Sequence, residues 1–127
     1  MRVSTREADV LSGCLEYLRV KQLLAWRANN GGVFDPSRKC YRSFRGLKGV
    51  ADILGVLGNG RFLAVECKSA TGRLSEAQRH FLDQVSQRGG IALCVRSVRD
   101  LDEQLAPILA QTAQAGAGEA QTAAGDC

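Results

Sequence analysis

Apolar positions recur at two different periods along the chain, and the switch between them marks out the elements. Val10, Leu11, Cys14, Leu15 and Leu18 follow helical spacing and predict an amphipathic helix over residues 5–21, with Ser4 and Glu7 three apart as a capping box at its start. Residues 22–28 read as a short strand. No period is visible from Asn29 to Gly49, a long stretch punctuated by Gly31-Gly32 and by an Asp35-Pro36 turn signal. Two apolar runs, 50–57 and 61–68, flank Gly58-Asn59-Gly60 and predict a β-hairpin. Helical spacing returns after Ser75, where Gln78 completes a second capping box, and stops at Gly89-Gly90. Residues 91–96 read as a buried strand, so strand, helix and strand in this order suggest a parallel crossover. A last helix covers about 100–111, shortened or kinked by Pro107. From Gln114 onward the chain is Ala, Gly, Gln and Thr without period, which divides it into a folded domain over 1–112 and a disordered tail over 113–127.

The hairpin carries the chemistry. Glu66 and Lys68 share one face of their strand, while Leu63, Val65 and Cys67 share the other. A three-residue loop at Gly58-Asn59-Gly60 pairs Leu57 with Arg61, and the same register sets Asp52 opposite Glu66. Cross-strand neighbours have Cβ atoms roughly 4.5–5.5 Å apart, close enough for two carboxylates to grip one divalent cation. A two-residue loop would slip the register and separate them. Both strands are otherwise apolar, so three charged groups on them require compensation. A structural ion pair between Lys68 and the acids satisfies that requirement as well as a metal site does.

Two further side chains point the same way. On a helical wheel Glu7 lies with Leu11, Cys14 and Leu18 on the apolar face, whereas Glu16 lies on the opposite, solvated side. Gln78 falls beside Leu82 and Val85 on the inward side of its helix. Capping accounts for both residues equally well. His80, the single histidine, falls away from the packed side and reads as a surface residue.

Composition narrows the setting. The 127 residues suit one domain with a core that needs no disulfides. Five cysteines, an odd number with no C-x-x-C spacing, argue against a zinc site or a disulfide framework and suit a reducing cytoplasm. No apolar run reaches the length of a membrane span, and the N-terminus has no signal-peptide stretch. The formal net charge is +4, and five cations without an acid, Arg38, Lys39, Arg42, Arg45 and Lys48, are interleaved with Tyr41 and Phe44 after Phe34. That pattern offers cations for phosphates and rings for exposed bases. Arg73, just before the second long helix, is a further candidate phosphate contact.

Gly49-Val50-Ala51-Asp52, with Glu66-Cys67-Lys68 fourteen positions after Asp52, resembles the PD-(D/E)xK nuclease signature. More narrowly, the chain resembles the VRR-NUC (virus-type replication-repair nuclease) domain. The likeness runs from about Glu7 to Leu101 and takes in the leading helix, Ala25-Trp26-Arg27, Leu74-Ser75-x-x-Gln78 and Gly89-Gly90. It departs at Ala51, where the family commonly has proline. The resemblance implies an α/β, restriction-endonuclease-like core: a mixed central sheet flanked by helices. It implies phosphodiester hydrolysis with Mg²⁺, or Mn²⁺ in its place, held by Glu7, Asp52, Glu66 and the backbone carbonyl of Cys67. Lys68 and Gln78 would complete the catalytic set. Branched or flapped DNA is the implied partner, as for a Holliday-junction resolvase or flap nuclease in phage or bacterial replication and repair, with a homodimer where both strands of a junction are cut. Two other readings stay open: a non-catalytic nucleic-acid-binding module that uses residues 38–48, and an assembly protein whose charged trio is structural.

Overall fold

The computed structural model describes residues 6–28, 33–42 and 47–116. A mixed four-stranded sheet has the order β1-β4-β5-β6, from β1 (Leu24–Arg27), β4 (Ile53–Val56), β5 (Phe62–Cys67) and β6 (Ile91–Val95). The pairs β1–β4 and β4–β5 are antiparallel. The pair β5–β6 is parallel, joined by α2 (Glu76–Gln87) as the crossover. Helices α1 (Glu7–Val20) and α3 (Val98–Gly116) cover one face and α2 covers the other. This is the α/β core with a mixed central sheet that the sequence implies.

Alternation along the strands sorts the two layers. Ile53, Leu63, Val65, Cys67, Leu93 and Val95 pack under α1 and α3 against Leu11, Cys14, Leu18, Leu101 and Leu105. Ala51, Ala64 and Ala92 on the opposite face are small, which brings α2 close through Leu82 and Val85. β5 is therefore buried on both faces, as expected for a strand between two helical layers.

Three boundaries differ from the sequence reading. Helix α1 is N-capped by Arg6 without a side-chain bond, so Glu7 is the first helical residue and not the third. The expected Ser4–Glu7 capping box falls on Ser4, which lies outside the described residues. Within the supposed loop 29–49, β2 (Val33–Asp35) and β3 (Cys40–Arg42) pair as a separate two-stranded sheet around the Asp35-Pro36 turn. Three-residue strands are too short to show a period. Helix α3 starts at Val98, where the Ser97 hydroxyl accepts the Asp100 N–H, and it runs through Pro107 to Gly116. Proline removes one helix hydrogen bond. Burial of Leu101 and Leu105, with Ile108 and Leu109 packed beyond them, holds the helix across that gap. No described helix is long and apolar enough to cross a membrane.

Candidate active site

The hairpin register is the one the three-residue loop requires. Val56 pairs with Phe62 and Ile53 with Val65, while the Leu57 N–H donates to the Arg61 carbonyl at 2.9 Å. That bond makes Leu57–Arg61 a hydrogen-bonded pair. By alternation Asp52 and Glu66, one step beyond Ile53–Val65, face each other as a non-hydrogen-bonded pair, the kind whose side chains lie closest. At this end the Cys67 N–H donates to Asp52 Oδ2 at 2.9 Å, so the strand's own backbone fixes one oxygen of Asp52.

Glu7 joins them from the first turn of α1. One carboxylate oxygen from each of Glu7, Asp52 and Glu66 lies within 4.8 Å of the others. Glu7 is exposed, Asp52 half-buried and Glu66 buried, so the cluster grades from solvent into the sheet. Glu66 Oε1 has two partners: Lys68 Nζ at 3.7 Å and Gln78 Nε2, which donates at 3.0 Å. Glu66 Oε2 is buried and has none among the described residues. Burial, with Asp52 alongside, pushes the Glu66 carboxyl up to about 8 despite the opposing pull of Lys68.

Gln78 does two jobs at once. Its Oε1 accepts the Ser75 N–H and its own N–H donates to the Ser75 hydroxyl, closing the capping box. The remaining amide N–H bonds are what reach Glu66. Capping and site contact are therefore the same geometry. Gly49 makes this approach possible. At φ +77° it lies so near the first turn of α2 that a Cβ would sit 2.2 Å from the Ala77 carbonyl and 2.6 Å from the Gln78 nitrogen. Gly49→Ala should therefore lose about 2–5 kcal/mol of stability, from left-handed backbone strain plus overpacking. Urea unfolding midpoints of the two proteins measure the loss.

The remaining sequence candidates are not among the clustered residues that the structure describes. Lys48 and Arg73 are exposed, as is His80. Arg38 and Lys39 are exposed on the turn of the separate β2–β3 sheet. Arg45, Asn29, Asn30, Phe44 and the side chains of Phe34, Tyr41 and Arg42 lie outside the described residues. Sequence reasoning missed Arg96. Its guanidinium donates to the carbonyls of Ser69 at 2.5 Å and Gly72 at 2.7 Å, pinning the loop that leads from Lys68 towards α2. Nothing in its sequence context marks it, because its partners are backbone atoms.

Two carboxylates paired across a hairpin, a lysine two residues on and a glutamine from the following helix are the signature residues in one place. The VRR-NUC domain family matches residues 16–99. The chain belongs to the VRR-NUC family. It is accordingly a nuclease of the PD-(D/E)xK type, a hydrolase with DNA as its substrate. Nucleases of this family usually require divalent metal, and the cluster of Glu7, Asp52 and Glu66 is one that can bind it. Glu7 itself precedes the matched residues. No curated protein and no solved structure matches the chain.

Proposed function

We propose that this VRR-NUC protein is a Mg²⁺-dependent, structure-selective DNA endonuclease, acting as a junction resolvase or flap nuclease in phage or bacterial replication or repair. Its catalytic residues are Asp52, Glu66, Lys68 and Gln78. The observation that carries the reading is a cluster of three carboxylates, Glu7, Asp52 and Glu66, in which the buried Glu66 Oε2 has no hydrogen-bond partner among the described residues. A cation fits there: the donors are all oxygen, the set suited to Mg²⁺, with Mn²⁺ able to substitute. Glu7, Asp52, Glu66 and the Cys67 carbonyl would hold it, and its chemistry would be to acidify water and neutralise charge on phosphate oxygens.

The chain's own residues supply the rest. The hydrogen bonds donated by the Cys67 N–H to Asp52 and by the Gln78 side-chain amide to Glu66 hold both carboxylates before substrate arrives. Lys68, buried and paired to Glu66 Oε1, is a fixed positive charge positioned to stabilise the negative charge that develops on phosphate. The exposed cations Arg38, Lys39, Lys48 and Arg73, together with Arg42 and Arg45, form the DNA-binding surface. Cutting both strands of a four-way junction calls for two such sites and so for a homodimer. Cys14, Cys67 and Cys94 are free thiols, in keeping with the cytoplasm of a bacterial or phage-infected cell.

Glu7→Gln should slow cleavage sharply and raise the Mg²⁺ concentration needed, with little change in thermal stability, because the amide keeps the shape of the side chain. Glu16→Gln should leave cleavage as it is, since Glu16 is exposed and pairs with Arg19 across one turn. Rates measured across a Mg²⁺ titration separate the two, and full Glu7→Gln activity at low Mg²⁺ removes Glu7 from the site. Neutralising Arg38, Lys39, Arg42 and Arg45 together should flatten the dependence of log K on log salt by roughly 0.9 for each lost phosphate contact. The substrate class is tested by incubating labelled linear, flap, splayed-arm and four-way-junction DNA of equal length with Mg²⁺. The reading expects branched forms to be cut first, and equal rates on linear duplex refute the selectivity.

A further inference from the structure

Asp52 and Glu66 stand at one end of a sheet face that continues to an apolar basin at the other. Alternate residues share a face, so Leu54 and Phe62 lie on the same side as the two acids. Phe62 is four positions along β5 from Glu66, or about 13 Å at the strand rise. Leu54 and Phe62 line a cavity of about 920 Å³ together with the half-buried Phe81 of α2 and with Leu47, Lys48 and Val50. Phe62 is 37% exposed and Leu47 73%. Large apolar side chains left open beside one another mark a binding surface.

The rim is charged, and with one sign. Lys48, Arg61 and Arg88 line the cavity with His80, and among the described residues no Asp or Glu does. Arg61 Nε donates to the Gly89 carbonyl at 2.9 Å, and Arg88 Nη1 donates to the backbone and side chain of Gln84, so both guanidiniums are held at the edge. An occupant must therefore combine flat apolar groups with repeated negative charge. Unpaired nucleotides do so: their bases stack on aromatic rings while their phosphates meet the cations. Paired bases keep their faces inside the duplex and cannot enter. A second copy of this chain, packed two-fold on this face, would set Lys48, Arg61 and Arg88 against their own equivalents.

We propose that this basin binds unpaired bases of the DNA strand that runs from the acidic cluster, and that it is what selects branched over fully paired DNA. The proposal rests on the nuclease reading above and adds the residues that read strand structure. Binding is measured in EDTA, by anisotropy of labelled splayed-arm DNA and of duplex of the same length, so no cleavage intervenes. The wild-type protein should prefer the splayed arm. Phe62→Ser and, separately, Arg88→Glu should each weaken splayed-arm binding roughly tenfold, and Phe62→Ser should leave duplex binding nearly unchanged. Iodouracil placed in the arm should cross-link to peptides containing Phe62 or Phe81.

Any of four results overturns the proposal. The wild-type protein binds both DNAs equally; a folded variant of either kind keeps the full preference; the cross-links fall elsewhere; or Phe62→Ser turns a dimer into monomers while DNA preference persists, which makes a second copy the occupant. Asp52→Asn separates the two readings, because it should bind the splayed arm normally and cut nothing. Cutting by Asp52→Asn defeats the active-site assignment and leaves the basin standing. Normal arm preference in Phe62→Ser defeats the basin and leaves the active site standing.

Discussion

Glu66→Gln should lower the cleavage rate by roughly 10²–10³-fold or more, the scale of losing one group that stabilises the transition state. The amide keeps the shape of the side chain and can still meet Gln78. It takes away the ability to ionise and bind a cation at Glu66, whose buried Oε2 has no partner among the described residues. The fold should survive, because a carboxyl pushed up to about 8 is largely protonated at neutral pH and the amide resembles that form. Lys68→Met should lose activity on the same scale, since it removes the buried cation beside Glu66 while filling similar volume. Rates at saturating Mg²⁺, with circular dichroism to confirm folding, check both. Wild-type rates in either folded variant remove that residue from the active site.

The second large effect is a coupling between pH, cation and stability. The folded-state pKa of Glu66 is raised from 4.5 to about 8, so the native protein binds the proton more tightly than the unfolded chain does. Stability from this group is fully present below about 4.5 and is lost as pH rises through about 8. Metal-free protein should therefore melt at progressively lower temperature across that window, and Glu66→Gln should lack this decline. Cation binding opposes it, because the ionised carboxylate is then the favoured form. At a concentration a hundred times its Kd, a ligand adds about 2.7 kcal/mol. For a domain of this size that is about 10 °C in Tm. The Mg²⁺-induced rise should be larger at pH 9 than at pH 6, where the proton competes. Scanning calorimetry at both pH values, with Mg²⁺ and with EDTA, checks the sign.

The hairpin was legible because its register follows from loop length alone. With Gly58-Asn59-Gly60 as a three-residue loop, counting back reaches Asp52 opposite Glu66, and Leu57–Arg61 closes as counted. The second capping box was legible for a similar reason, being local in sequence: Ser75 and Gln78 are three residues apart. What escaped depends on contacts between distant segments. The bond from Gln78 to Glu66 spans two elements, and the need for glycine at position 49 comes from the first turn of α2, which approaches it closely. The start of α1 was misplaced because Ser4 and Glu7 match a capping pattern, whereas the chain turns helical only after Arg6. The basin beside α2 has no sequence signal at all. Leu54, Phe62 and Phe81 come from β4, β5 and α2, and only the packing of those three elements brings them around one cavity.

If Glu7, Asp52, Glu66 and Lys68 form a cation-dependent phosphodiesterase site, an end-labelled four-way junction should be cut by the wild-type protein with Mg²⁺ and by neither the wild-type protein in EDTA nor Asp52→Asn with or without Mg²⁺. Products in EDTA, or from Asp52→Asn with Mg²⁺ at the wild-type rate, contradict that assignment.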